Sequence, residues 1–335
     1  MKDHAANSSI QLHACSILES LSIVEDYGVQ YAICEAGGLE TIVDSLSIHA
    51  SNELVVELAC RLLAIVVPAA EANVFSSCRN RLGTALIHVF ENHVASPRVQ
   101  STALDCLWAC CRQDEYFQIL LIKETNCVDI VVQSMSSHLS SPDVQRSGCN
   151  LIRMMAGSSP RQFQDGCWGE RGAVAAVVNG MCAHPESSSV QKEALRALKC
   201  LATISSNKPL ISSVDGEKAV MNSLWIHIRD SQVVTAAFSA LNNIAVDSES
   251  RTVGPLNDDS MRAIVMALSK FPRDESVQKQ GCFLLKSCSY LDFNLQLMRQ
   301  HGGQQLTKLL HHAARMFPDQ CQSRAMGVVA KMDGR

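Results

Sequence analysis

The chain has 335 residues, of which 47% are hydrophobic, 19% are charged and 5% are aromatic, and its formal net charge is −4. This apolar content excludes a disordered chain, the scarcity of aromatic residues disfavours a large β-sandwich, and the net charge disfavours a nucleic-acid binder. The polar start MKDHAANSS is unlike a secretory signal, and no apolar run approaches the roughly 18 residues that cross a bilayer. We therefore expect a cytoplasmic protein without a transmembrane segment, with the nucleus as the other compartment open to it.

One helical motif recurs along the whole chain at a nearly constant step. Its copies start 45, 44, 45, 46, 43, 44 and 44 residues apart, which is the signature of a repeat protein. The eight copies, in chain order, are IQLHACSILESL (10–21), VVELACRLLAIV (55–66), VQSTALDCLWAC (99–110), VQRSGCNLIRMM (144–155), VQKEALRALKCL (190–201), VVTAAFSALNNI (233–244), VQKQGCFLLKSC (277–288) and CQSRAMGVVAKM (321–332).

The aligned positions of this motif predict one long amphipathic helix in each copy. The first position is apolar throughout, and the fifth, which we call the small column, is always alanine or glycine. Positions 1, 5, 6, 9 and 12 fall on one stripe of a 3.6-residue helix, and the small column lets a neighbouring helix approach closely. The long helices are predicted near residues 10–23, 55–67, 99–111, 144–156, 190–204, 233–245, 277–289 and 321–332.

The fifteen cysteines do not indicate a disulfide scaffold, because such scaffolds are usually short secreted chains. Seven of them occupy apolar positions of the motif, where cysteine acts as a small hydrophobic residue. These seven are Cys15, Cys60, Cys110, Cys149, Cys282, Cys288 and Cys321. We therefore expect reduced core thiols, with no metal site and no cofactor, in a reducing compartment.

A second motif lies between the long helices. A glycine or another turn-forming residue precedes an apolar-periodic run, which predicts a shorter middle helix. The examples are EAGGLETIVDSL (35–46), ERGAVAAVVNGM (170–181), VDGEKAVMNSLW (214–225) and QHGGQQLTKLLH (300–311). Each unit is therefore predicted to contain a short helix, a glycine turn, a middle helix, a loop and the long helix.

The step, the Gly-Gly element in AGGLETIV and HGGQQLTKLL, and the VQxxALxxLxx[LI] helix together resemble the armadillo repeat family. The resemblance covers nearly the whole chain, 1–335. It implies an all-α, right-handed armadillo-like superhelix of about eight repeats of about 44 residues, built as a single solenoid. It also implies that the long helices line a concave groove that binds a segment of a partner protein.

The chain departs from the nuclear-import members of that family. Those members carry a Trp at the seventh position of the long-helix motif and an Asn at the eleventh, which together hold a basic peptide. Here no Trp stands at the seventh position, and only Asn243 matches at the eleventh. An import-receptor function is therefore the least favoured of the alternatives.

Some long-helix side chains lie outside the apolar stripe, so they are predicted to face the groove. The candidates for partner binding are Arg61, Asp105, Trp108, Arg153, Arg196, Lys199, Asn242, Asn243 and Lys286. Five are basic, which predicts a mildly basic groove for an acidic or phosphorylated segment, with arginine pairing to carboxylate or phosphate. The alternative is that these charges are solvated on an exposed helix face. Trp108 is either a peptide anchor or a packing residue between repeats.

We find no catalytic signal, because the chain has no glycine-rich phosphate loop and no nucleophile elbow. His311 and His312 are adjacent on a predicted helix and point about 100° apart, which disfavours a shared metal ion. The sequence predicts a non-catalytic interaction scaffold with a protein or peptide partner. The alternative is the regulatory arm of a larger enzyme, such as a leucine-rich-repeat kinase or a ubiquitin ligase. The chain opens on a long helix, which suggests either a piece of a larger protein or an end that pairs with another chain.

Overall fold

The computed structural model describes residues 1–23, 27–124, 126–158, 167–244 and 256–334. Every regular element in these ranges is helical, which confirms the predicted all-α fold. None of the described helices is both long enough and apolar enough to cross a membrane. The chain forms two compact units, Met1–Ala176 and Val177–Arg335.

The first unit contains four long helices with shorter helices between them. Its helices are α1 (Ser8–Ser22), α2 (Tyr27–Glu35), α3 (Gly38–Ile48), α4 (Glu53–Val66), α5 (Ala72–Asn92), α6 (Pro97–Gln113), α7 (Glu115–Glu124), α8 (Cys127–Ser137), α9 (Pro142–Ser158), α10 (Cys167–Glu170) and the start of α11 (Ala173–Ala183). The long helices are α1, α4, α6 and α9. Consecutive long helices pack directly on one another, α1 on α4, α4 on α6 and α6 on α9.

The second unit repeats this organisation. After the end of α11 its helices are α12 (Ser188–Leu201), α13 (Asn207–Ser213), α14 (Gly216–Ile226), α15 (Ser231–Ile244), α16 (Asp258–Lys270), α17 (Glu275–Cys288), α18 (Asp292–Leu297), α19 (Gly303–Met316) and α20 (Ser323–Met332). The long helices are α12, α15, α17 and α20. A π-helical segment, Pro318–Gln322, precedes α20, so the last copy of the motif begins as a wider turn.

The helix ends differ slightly from the predicted ends. The helix that was predicted to reach residue 204 ends at Leu201, where the chain turns before α13. Residue 245, the predicted end of another long helix, lies outside the described residues. In seven copies a polar side chain three residues before the motif accepts the backbone N–H of its first residue, which caps the helix. The capping residues are Asn7, Asn52, Ser96, Ser141, Ser187, Asp230 and Asp274.

The small column is where the middle helix packs against the long helix. A Cβ atom at Gly148 would lie 2.5 Å from Met135 Cγ, and one at Gly281 would lie 2.5 Å from Leu268 Cδ2. Met135 belongs to α8 and Leu268 to α16, the helices that precede those two long helices. A side chain larger than alanine at this column would therefore force the two helices apart.

Buried glutamines fix the connection from the middle helix to the long helix. Gln100 Nε2 donates to the carbonyl oxygens of Phe90 and His93, at 3.1 and 3.0 Å. The same pair of bonds, to residues ten and seven positions earlier, is made by Gln11, Gln145, Gln191 and Gln278. Because these glutamines satisfy carbonyls at a helix end, they explain the second letter of the VQ motif.

Histidines at the ends of the middle helices join one repeat to the next. The Nε2 atoms of four histidines each donate to a loop carbonyl 42 to 44 residues earlier, at 2.7 Å. The pairs are His49 with Ala5, His93 with Ala50, His138 with Val94, and His227 with Pro185. These bonds hold the loops of successive repeats at a fixed spacing.

One repeat differs from the predicted pattern. Where the sequence pattern predicted a short helix, a turn and a middle helix, α5 is one continuous helix of 21 residues. The expectation of two helices separated by a turn is therefore wrong for this repeat. Its sequence lacks the Gly-Gly element, and its single internal glycine, Gly83, is placed where a Cβ would lie 3.3 Å from the Phe117 ring. This glycine serves close packing rather than a turn.

Candidate interaction surface on the long helices

The nine candidate side chains lie on long helices of both units. Arg61, Arg196 and Lys199 are exposed, and Asn242 is buried. The half-buried ones are Asp105, Trp108, Arg153, Asn243 and Lys286. The candidate side chains have different bonding partners in the two units.

In the first unit, carboxylates on neighbouring long helices pair with the candidate arginine. Arg61 Nη2 on α4 lies 2.5 Å from Glu19 Oε1 on α1, and Arg61 Nη1 lies 3.8 Å from Glu57 Oε1. Glu57 also accepts from Arg98 Nη2 of α6 at 2.8 Å. The two glutamates are only 7% and 6% exposed, so their charges are turned toward the arginines rather than toward solvent. We call Glu19, Glu57, Arg61 and Arg98 the paired network.

The remaining candidates of the first unit also have neighbours within the fold. Asp105 on α6 pairs with Arg146 on α9 at 3.1 Å, and Arg153 Nη2 donates to Asn150 Oδ1 at 2.7 Å. The Trp108 ring is stacked under the Arg112 guanidinium, whose Cζ is 5.5 Å from the ring centroid. Its indole N–H is enclosed without an acceptor among the described residues. Trp108 is thus half-buried and stacks with a cation of its own helix.

In the second unit, several candidate side chains on α12 and α15 form ion pairs or hydrogen bonds within the fold. Arg196 Nη1 pairs with Glu193 Oε1 at 2.8 Å, and Asn243 Nδ2 donates to the Lys199 carbonyl at 2.9 Å. Asn242 was expected on the open face, but it is 4% exposed and lies within the packing. Its Nδ2 donates to the backbone oxygen and to the side-chain Oε1 of Gln280 on α17, both at 3.2 Å. We therefore leave Asn242 out of the surface.

The last two long helices carry a cluster of cations around one aromatic ring. Lys331 Nζ lies 3.4 Å from the Tyr290 ring centroid, and Lys286 Nζ lies 5.4 Å from the same centroid. Lys331 also donates to the Ser289 carbonyl at 3.1 Å, which holds its ammonium group beside the ring. We call Lys286, Tyr290 and Lys331 the lysine–tyrosine site.

A second aromatic residue and a third cation lie on the same two helices. Arg324 Cζ is 5.2 Å from the ring centroid of Phe283, and Phe283 is exposed. Arg299 donates to the carbonyls of Lys331 and Met332 at 3.0 and 2.9 Å, which places a cation at the C-terminus of α20. Together these residues make the end of the second unit rich in positive charge and accessible aromatic surface.

The electrostatics of the lysine–tyrosine site are those of two cations without a paired anion. Burial lowers the pKa of Lys331, the positive charge of Lys286 lowers it further, and the negative charge of Asp292 opposes this. Within the described ranges, neither lysine is within ion-pair distance of a carboxylate. Sequence reasoning selected Lys286 but missed Tyr290 and Lys331, although Lys331 stands at the eleventh position of its motif.

Cys110, Cys111 and His311 belong to residue types that often carry catalytic chemistry. Cys110 and Cys111 are buried, and burial raises the pKa of both thiols, which disfavours a reactive thiolate. His311 Nδ1 bonds to the Thr307 carbonyl of its own helix at 2.8 Å. No group of three or more potential metal ligands comes together in the described part of the chain.

Comparisons with known proteins agree with this architecture. A family model described as LRRK2 ARM repeat matches residues 169–332, slightly less than half of the chain. A solved structure from work on a conserved phosphorylation switch, which controls the interaction between cadherin and beta-catenin, matches 96% of this chain with a TM-score of 0.71. The sequence identity is 17%, and the match covers 57% of that chain, so the likeness is one of fold. A search of curated protein sequences gives no match.

The helix pattern and these two comparisons define the class of protein as an all-α repeat solenoid. Within that class, the fold is armadillo-like, and residues 169–332 match the LRRK2 ARM repeat model.

Proposed function

We propose that this protein is a non-catalytic interaction scaffold that binds a segment of a partner protein along the open faces of its long helices. The observation that carries the proposal is the repeated presentation of polar and aromatic side chains on those faces, outside the buried stripe of the motif. In the armadillo arrangement these faces line a groove, and successive repeats would contact successive parts of one extended segment.

The partner segment is proposed to be acidic or phosphorylated. Support comes from the exposed or half-buried cations Lys199, Lys286 and Lys331 and from the Tyr290 ring beside the last two. The relative from the cadherin and beta-catenin work is a protein whose interaction is controlled by phosphorylation, which is consistent with this partner chemistry. No nucleic-acid partner is proposed, because the net charge is −4.

The test is capture of partners from a cytosolic extract, followed by binding measurements with the purified partner at low and moderate salt. The variant is Arg153→Glu/Arg196→Glu, which reverses charge on two long helices, and the control is Lys218→Glu/Lys308→Glu on the middle helices α14 and α19. The proposal expects one partner to be lost from the first variant only, with cross-links that map to long-helix faces. Equal binding to both variants, with cross-links on the middle helices, would refute it.

A second function is favoured by one observation, the match of residues 169–332 to the LRRK2 ARM repeat. In this alternative the chain is the regulatory arm of a larger enzyme, and its faces bind a regulator of that enzyme. The mass of the native protein in its source cells distinguishes the two functions. A band near the 36.5 kDa of this chain supports the free scaffold, and a much larger band with a catalytic domain supports the regulatory arm.

We place the protein in the cytoplasm, with the nucleus as the alternative. The support is the large number of buried thiols, among them Cys60, Cys106 and Cys282, which is typical of a reducing compartment. Fractionation of source cells with an antibody to this chain tests the assignment, and recovery in a secreted fraction would refute it.

A further inference from the structure

We propose that Lys286 and Lys331 form a phosphate-binding site for a phosphorylated side chain of a partner segment. This inference rests on the proposed function and identifies one point of contact in it. The site lies between α17 and α20, where both ammonium groups are placed around the Tyr290 ring.

The first argument is charge. A phosphorylated side chain carries a charge of about −1.5 to −2 at neutral pH and offers three acceptor oxygens. Two ammonium groups within 5.4 Å of one ring centroid match that charge better than they match a single carboxylate. Because no carboxylate of the described chain pairs with either lysine, the positive charge is available to a ligand.

The second argument is access. In the first unit, Glu19 stands at the tenth position of its motif and pairs with Arg61, at the seventh position of the next copy. Lys286 also stands at a tenth position, and the seventh position of the next copy is Gly327. A Cβ atom at Gly327 would lie only 2.6 Å from Lys286 Nζ, so the lysine crosses the place where a pairing side chain would be. With glycine at this position, residue 327 offers the Lys286 ammonium no pairing side chain, and no carboxylate among the described residues lies within ion-pair distance of it.

The third argument is orientation. The Ser289 carbonyl and the Tyr290 ring hold Lys331 Nζ in place, at 3.1 Å and 3.4 Å, so the group loses less freedom when a ligand binds. Phe283 and Arg324 lie on the same helices and offer an exposed ring and a further cation to the residues that flank the phosphate. This combination favours a peptide over a free ion.

The experiment measures fluorescence anisotropy with the purified full chain and three labelled probe peptides. Each is a short glycine and serine peptide with one central residue, either phosphoserine, serine or aspartate. The proposal expects the phosphoserine peptide to bind more tightly than the other two. Lys286→Ala/Lys331→Ala should weaken that binding about tenfold or more, because each lysine supplies a charge-assisted hydrogen bond.

The matched control is Lys270→Ala/Lys308→Ala, which removes the same charge from exposed sites on α16 and α19. It should change the affinity by no more than about twofold, since these charges are screened by salt. Circular dichroism of both double variants checks that they are folded. Equal affinity for the phosphoserine and serine peptides, or equal loss in both variants, would overturn the proposal.

Further measurements distinguish a phosphopeptide from other ligands of this site, and distinguish failure of this site from failure of the proposed scaffold function. Binding of the aspartate peptide as tight as that of the phosphoserine peptide would overturn the specificity for phosphate. Preferential binding to phosphatidylcholine vesicles doped with phosphatidylinositol phosphate would overturn the choice of a peptide. If the captured partner binds Lys286→Ala/Lys331→Ala normally but fails to bind Arg153→Glu/Arg196→Glu, the scaffold function stands and this site is wrong.

Discussion

The two units present their long-helix charges in different ways. In the first unit, the paired network joins α1, α4 and α6 through two nearly buried glutamates, so its arginines are neutralised within the fold. In the second unit, the lysine–tyrosine site holds two cations against an aromatic ring, and no carboxylate of the described residues lies within ion-pair distance of either. The same repeat can therefore use its outward positions either to tie helices together or to leave charge available to a ligand.

The largest expected effect concerns the small column, which both units share. Gly281→Ala should lower the free energy of unfolding by about 1–3 kcal/mol, because its Cβ would meet Leu268 at 2.5 Å and Phe238 at 3.1 Å. Gly148→Ala meets only the flexible Met135 side chain and should cost less than about 1 kcal/mol. Urea unfolding of both variants gives the comparison, and equal costs would contradict it.

The next largest effect comes from giving the second unit a charge pair between long helices, like those of the paired network in the first unit. Gly327→Asp supplies a carboxylate beside Lys286, so it should reduce binding of the phosphoserine peptide by about tenfold. Gly327→Asn has the same shape without the charge and serves as the control. Anisotropy measures both variants, and an equal loss of affinity would mean that steric exclusion, rather than charge pairing, is responsible.

A smaller effect tests the paired network of the first unit. Glu57→Gln should destabilise the protein by about 1 kcal/mol, because one nearly buried carboxylate loses two guanidinium partners that are themselves partly solvated. The exposed Glu91→Gln in the same unit should change the stability by less than about 0.5 kcal/mol. Urea unfolding at low and moderate salt measures both variants. A negligible effect at Glu57 would show that the paired network does not contribute to the stability of the fold.

The smallest expected effect is a difference in thiol reactivity between the two units, which involves no change in stability. Burial raises the pKa of Cys110 and Cys111 in the first unit, so both should resist an aromatic disulfide reagent in the native state. Cys182 in the second unit is exposed and should react first. Peptide mapping after labelling, with and without denaturant, identifies the modified residues, and Cys182→Ser is the control. Early labelling of Cys111 would contradict the burial assigned to it.

The sequence predicted the helical class, because that class depends on local periodicity. The apolar positions and the small column lie within twelve residues of one another in every copy, and seven copies add a polar capping residue three positions earlier. The continuous helix α5 was not predicted, because the two-helix pattern of the other repeats was extended to a repeat whose sequence lacks the Gly-Gly element.

The candidate surface was harder to predict, because its geometry depends on residues one repeat apart. Arg61 was selected as a groove candidate, but its partner Glu19 lies 42 residues earlier, where helical periodicity does not relate the two side chains. Tyr290 was missed because it follows the last position of the motif, where helical periodicity gives no information on direction. Lys286 was selected only because its position in the motif lies outside the apolar stripe. The structure adds that its Nζ lies where a side chain at position 327 would be.

The histidine bonds between repeats have a consequence for how such a chain can change over generations. Their acceptors are backbone carbonyls, and the residues that supply them are Ala5, Ala50, Val94 and Pro185. Because any amino acid carries that carbonyl, substitutions at the acceptor positions are neutral to the bond, whereas an inserted or deleted loop residue displaces it. The loops are therefore free to drift in composition but are constrained in length, which is consistent with a step that varies by only a few residues over eight copies.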